Sequence, residues 1–188
     1  SKWCGAGGWR VGTFLFPPGL RWLLEAMAAA ASETYTSTCA PVQYASVAAF
    51  GESPELERYL ETSRRVLHAL GVRIHQQLVG AGLHCAEPAG GFYLFPDFGS
   101  MREGLAARGV ETSEALCKQL LEDTGVAILP GSAFGRPEAE LTTRLAYVDF
   151  DGAAALEAAA GQPLNGAFLE ARCARVVEAV ERLVRWLP

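Results

Sequence analysis

Apolar and polar positions alternate with two periods along this chain, and the period changes mark its elements. Trp9 to Phe16 reads as a short strand stopped by Pro17-Pro18-Gly19. Leu23, Leu24, Met27 and Ala28 recur at helical spacing and predict a helix over 20–31. A second helix is expected from Pro41, with proline in its first turn, to Phe50 before Gly51. Ser53-Pro54-Glu55-Leu56 is a helix start with a cap, a first-position proline and acids in the first turn, and the helix it opens can run to Gly80. Beyond it the pattern gives a strand or hairpin over 85–98, a helix over 112–124, strands over 126–129 and 144–150, and a closing amphipathic helix over 168–187. Leu169, Cys173, Val176, Val177, Val180, Leu183 and Leu187 form the apolar side of that last helix. The stretch 149–166 has no assigned role.

Residues from about 65 onward suffice for a small α+β domain. One strand and two helices before residue 50 cannot close a core alone, so that piece is expected to belong to a sheet whose other strands precede Ser1. Trp9, Trp22 and Trp186 are expected to serve packing.

Half of the 188 residues are apolar and a fifth are charged, which fits a globular chain rather than a disordered one. No apolar run approaches the roughly 18 to 20 residues of a membrane span, and the start does not read as a signal peptide, so a cytoplasmic protein is expected. A net charge of −5 without a basic stripe argues against nucleic-acid binding. Five dispersed cysteines without a CxxC pair read as reduced thiols, and His68, His75 and His84 lack carboxylates at ligand spacing, so no metal site is expected. Of sixteen basic residues only Lys2 and Lys118 are lysine, which limits any chemistry that needs a deprotonatable amine.

Lys2 and Arg10 stand eight apart on a loop containing Gly5, Gly7 and Gly8. A Schiff-base lysine with a guanidinium for a phosphate needs such a pair, and glycines let the backbone approach a ligand; a surface turn with two solvated cations is the alternative. Arg144 opens a buried strand after Pro130-Gly131-Ser132-Ala133-Phe134-Gly135. Its charge must meet an anion, either a nearby Asp or Glu or the α-carboxylate of a substrate. Lys118, between Leu116 and Leu120, reads as a solvated helix residue.

Together these residues resemble the fold-type I pyridoxal phosphate (PLP) enzymes close to the class I and II aminotransferases. The resemblance rests on Ser1-Lys2-x7-Arg10-x-Gly12, Pro41-x-Gln43, Gly90-Gly91-Phe92-Tyr93, the Pro130–Gly135 motif and Arg144-Leu145, in order along nearly the whole chain. It implies an α/β, PLP-dependent transferase-like fold: residues 1–52 from the C-terminal part of the large PLP-binding domain, 53–80 a bridging helix, and 81–188 a small α+β C-terminal domain. It implies that Lys2 holds the cofactor as a Schiff base, Arg10 binds its phosphate, and Arg144 binds the substrate α-carboxylate.

The reaction so implied is transfer of an amino group between an amino acid and a 2-oxo acid by a homodimer. Aspartate-specific relatives use a second arginine ahead of the Pro-x-Gln helix. No basic residue lies between Arg21 and Arg58, which points to neutral or aromatic amino acids. The residues that pair with, and stack on, the cofactor ring would precede Ser1, so these residues alone are expected to be an inactive fragment. Lys2, Arg10 and Arg144 would equally serve β-elimination, decarboxylation or cyclopropane formation on the same scaffold, or an aminotransferase-like sensor domain of a transcription regulator.

Overall fold

The structure, a computed structural model, describes residues 2–35 and 37–188. The chain divides into two units, Ser1–Glu61 and Thr62–Pro188.

In the first unit a turn and a short 3-10 segment, Gly7–Trp9, precede an extended stretch that leads to α1 (Arg21–Thr34) and α2 (Ala40–Ala49). The expected strand over Trp9–Phe16 is not formed: Trp9 ends a 3-10 segment, the residues after it carry no strand, and Phe14 and Leu15 are 77% and 98% exposed. Trp9 and Trp22 are likewise exposed rather than packed. Val42, on α2, is the one apolar side chain of this unit that is fully buried among the described residues. Both helices fall where the periodicity places them, although α1 continues to Thr34, whose hydroxyl donates to Ala30 O at 2.7 Å.

The long helix α3 (Pro54–Gly80) starts where Ser53-Pro54 predicts, with Ser53 Oγ accepting from the N–H of Leu56 at 3.2 Å. Its later turns belong to the second unit, where Val66, Leu70, Ile74 and Leu78, at helical spacing, enter the core. That core also takes Leu105 of α4 (Arg102–Ala106), Leu116 and Leu120 of α5 (Ser113–Thr124) and the apolar side of α8 (Ala174–Trp186). Between them lies a small antiparallel sheet in the order β1 (Tyr93–Leu94), β3 (Thr143–Ala146), β2 (Leu129–Pro130). The strands are shorter than the apolar runs suggest. The 85–98 stretch pairs at Tyr93–Leu94 and at two isolated bridges, Asp97 with His84 and with Thr142, the expected strand over 126–129 pairs only from Leu129 onward, and β3 stops at Ala146. Prolines at 88, 96 and 130 remove backbone donors from these runs, which limits the ladder.

The segment 149–166 contributes α6 (Gly152–Ala159), capped by Asp151 Oδ1 accepting from Ala154 N at 3.0 Å, with Ala155 and Ala159 buried against the core. The closing helix is two pieces. α7 (Gly166–Arg172) is capped by Asn165, and the backbone breaks at Cys173 (φ −122°, ψ 25°) before α8 begins. The break leaves Leu169, Cys173, Val176, Val177, Val180 and Leu183 all buried, because each piece keeps its own apolar stripe.

Candidate functional site

Lys2 and Arg10 both lie in the first unit, on a loop that closes on Gly7. Arg10 Nη1 donates to Gly7 O at 3.2 Å, and a Cβ added at Gly7 would stand 4.0 Å from Lys2 Cγ. Both side chains are exposed. Ser1, the head of the motif, lies outside the described residues. Two backbone features hold the loop in this shape. Gly5 has φ +73°, and a Cβ there would come within 2.5 Å of Tyr59 Oη, so the turn needs glycine for conformation and for room. Arg10 adopts the left-handed region (φ 56°, ψ 45°), alone among the described non-glycine residues, at a cost of about 1–2 kcal/mol. Beside Gly8 and Gly12 a Cβ would meet nothing within 4 Å. The same loop forms a wall of a groove of about 280 Å³ with Ser46, Ala49 and Phe50 of the α2 region opposite Trp3, Cys4 and Val11. Gln43, of the Pro-x-Gln motif, donates its amide to Thr38 O at 2.7 Å and so steadies the start of α2.

Arg144 belongs to the second unit. On the central strand the side chains alternate, with Thr143 and Leu145 buried and Arg144 and Ala146 turned to the other face. Tyr93 pairs with Ala146 in the ladder, so it is the diagonal neighbour of Arg144 on that face, within reach of a long side chain. Its ring centroid is 4.4 Å from Arg144 Cζ. The Phe134 ring is at the same distance, 4.4 Å, and Phe95 meets Phe134 edge-on at 6.1 Å.

The Pro130–Gly135 motif places Phe134. Gly131 donates its N–H to Thr142 O at 2.8 Å, and a Cβ at Gly131 would collide with Thr142 Oγ1, so only glycine lets the turn lie on β3. Gly135 (φ +80°) then reverses the chain. The anion that the sequence requires for Arg144 is absent from its surroundings: none of the ion pairs among the described residues involves it, and its Nε is buried without a hydrogen-bond partner. The Asp or Glu alternative is therefore not what meets this charge. Two aromatic faces do, through the ring quadrupole.

Tyr93 and Phe134 were not singled out by sequence reasoning, although both stand inside the glycine-bounded motifs that it quoted. Lys118 is a solvated helix residue, its Nζ 3.9 Å from Glu122. His75 Nε2 lies 3.0 Å from Cys85 O, a packing contact at the end of α3. Among the described residues no group of three His, Cys, Asp or Glu side chains could hold a metal, and no helix is long and apolar enough to cross a membrane.

The family model for aminotransferase class I and II matches residues 1–151. An aspartate aminotransferase of Bacillus subtilis (strain 168) is 33% identical over 141 residues, covering 74% of this chain and 33% of that protein. Another, of Geobacillus stearothermophilus, is 34% identical over 142 residues, with the same shares of 74% and 33%. Among solved structures, an aromatic aminotransferase from Pyrococcus horikoshii OT3 superimposes with a TM-score of 0.67 at 25% identity, covering 96% of this chain and 39% of that one. The chain thus spans about a third of the length of the curated relatives it matches.

Proposed function

Because this chain belongs to the class I and II aminotransferase family, whose members depend on PLP, we propose that the enzyme containing it transfers an amino group between an amino acid and a 2-oxo acid. The observation that carries this reading is Arg144, a half-buried guanidinium beside two rings and in no ion pair among the described residues. Such a group is suited to the α-carboxylate common to both substrates, which its planar fork meets bidentately.

The Lys2 loop fits the cofactor by the chemistry of its donors and by its room. The Lys2 stem and the Arg10 guanidinium both approach Gly7, and open space adjoins Gly8 and Gly12. Bound PLP would supply the electron sink that lets the substrate carbon lose its proton. Lys2 Nζ would hold the cofactor and, once the substrate amine has released it, would move the proton of the substrate carbon as general base and acid. Arg10 would hold the cofactor's phosphate. In this reading residues 1–52 close the large cofactor-binding domain, 53–80 bridge, and 81–188 form the small domain of a cytoplasmic homodimer.

The substrate class proposed is neutral or aromatic amino acids. No second cation lies beside Arg144 among its described contacts, whereas Phe95, edge-on to Phe134, offers exposed ring surface nearby. A tenfold preference for aspartate in a substrate panel would refute this part. For the whole reading the test is borohydride reduction of the PLP-loaded enzyme followed by peptide mapping. The cofactor is expected on the peptide containing Lys2; finding it on Lys118, or on neither, overturns the assignment.

A further inference from the structure

We propose that Tyr93 and Phe134 are positioning residues, which clamp the Arg144 guanidinium so that it presents its in-plane N–H edge to a planar carboxylate. The inference rests on the reading of Arg144 as the carboxylate site and adds what keeps that arginine ready.

Three observations carry it. The Arg144 backbone is fixed, since β3 is the central strand, with Leu129 opposite Arg144 on one side and the Tyr93–Leu94 strand on the other. The side chain is held as well, since the Tyr93 and Phe134 ring centroids both lie 4.4 Å from Arg144 Cζ. Finally, the charge is left uncancelled. A carboxylate partner would hold an arginine just as firmly but would neutralise it, whereas a ring quadrupole attracts the cation and leaves its full charge and its N–H groups for another anion. The buried, unpartnered Nε is the trace of that arrangement.

A long flexible cation normally loses much of its rotamer freedom when it binds an anion. Here that freedom is already removed, so the carboxylate meets a preorganised fork. In the proposed clamp the rings take the faces of the guanidinium and its edge is left for a ligand, which is the approach a flat carboxylate makes and a bidentate pair requires. Phe95, edge-on to Phe134 at 6.1 Å, backs the outer ring of the clamp.

The test uses the PLP-loaded enzyme containing this chain, in wild type and in F134L, F134Y, R144K and the F134L/R144K double variant. Leucine keeps apolar bulk at position 134 and removes the ring; tyrosine restores the ring. In F134L, KM for an aromatic amino acid should rise about tenfold while kcat stays within about twofold, because the contact is made equally in the ground and transition states. Turnover of the matching amine, which lacks the carboxylate, should not change. The dissociation constant of 3-phenylpropanoate, a carboxylate that cannot react, should rise by the same factor in titration calorimetry. F134Y should restore both values, and in the R144K background F134L should have no further effect.

If R144K selectively weakens carboxylate substrates but F134L leaves KM and the phenylpropanoate constant unchanged, or harms amine and amino acid alike, the clamp is wrong and the carboxylate site stands. If R144K itself harms both substrate classes equally, the site is wrong and the clamp falls with it. Should F134L fail to fold, Y93L is read by the same criteria on the other ring.

Discussion

Trp186 donates its indole N–H to Asp123 Oδ2 across 2.7 Å and thereby ties the last turn of α8 to the last turn of α5. An aspartate at a helix C-terminus faces the negative end of the helix dipole and needs donors. Besides Trp186, the Gln119 amide reaches both carboxylate oxygens at 3.0 Å. Arg108 completes the cluster, its Nη1 donating to Trp186 O at 2.7 Å and its guanidinium 5.5 Å from the indole ring.

A pH dependence follows from this pair. The Trp186 hydrogen bond first, then Gln119, holds the Asp123 carboxyl below its ordinary value of 3.8. For a lowered carboxylate the stabilisation is complete above the unfolded value and is lost as pH falls through the folded one. D123N should therefore melt below wild type at pH 6, with the gap closing as the pH drops below 3.8. Calorimetry across that range checks it, and a gap that is constant with pH would show that the charge on Asp123 is immaterial.

A second pair tests packing. A Cβ at Gly71 would stand 2.9 Å from Tyr147 Oη and 3.2 Å from its Cζ, and Tyr147 is fully buried and cannot swing away. Alanine in a helix gains about 1 kcal/mol over glycine, but overpacking costs about 1–3 kcal/mol, so G71A should lower the melting temperature. With the hydroxyl removed in Y147F, the same G71A change should become neutral or stabilising. A G71A penalty that persists unchanged in Y147F would locate the strain elsewhere.

Thiol chemistry should divide the five cysteines. Cys39 is exposed, whereas burial pushes Cys117 up to about 12, helped by nearby Glu114, and Cys173 up to about 11. Because the thiolate is the nucleophile, a maleimide at pH 7 should modify Cys39 readily and Cys117 and Cys173 only after unfolding. Mass mapping at short times reads this directly, and early labelling of Cys173 would contradict the packing of α7 on α8.

How far the sequence could be read depended on whether a signal was local. Ser53-Pro54 marks the start of α3 because cap, proline and acids act within one turn. The stripe from Leu169 to Leu183 finds the core, but the break at Cys173 is invisible to it, since apolar spacing is kept across the break. Helix α6 had its signal in Asp151 and the alanines after it, a cap before small residues in a stretch that the sequence left without a role. The strand proposed for Trp9–Phe16 fails because strand formation needs a partner, which local pattern does not supply. At the site, an arginine at the head of a strand was legible from its position. The rings that meet it are 51 and 10 positions away, and no spacing rule joins them.

The last prediction contrasts the two units of the 188-residue chain by itself. The second unit has a continuous core from Val66 to Leu183, so its amides on α3, α5 and α8 should exchange slowly. The first unit buries Val42 alone among its described apolar side chains, while Trp9, Trp22, Tyr44, Val47 and Phe50 are each more than 60% exposed. So little buried apolar surface cannot offset the cost of ordering two helices, at about 1–2 kcal/mol per residue for the backbone alone. Amides of residues 1–61 should therefore exchange far faster than those of 62–188. The exposed rings should bind an apolar dye or drive self-association. The same weakness bears on the cofactor, because Lys2 and Arg10 are both exposed and a single reversible imine in water does not retain a ligand. After incubation with excess PLP and desalting, the isolated chain should carry little cofactor and show no transamination. Stoichiometric PLP together with slow exchange across α1 and α2 would show that residues 1–61 form a stable cofactor site on their own.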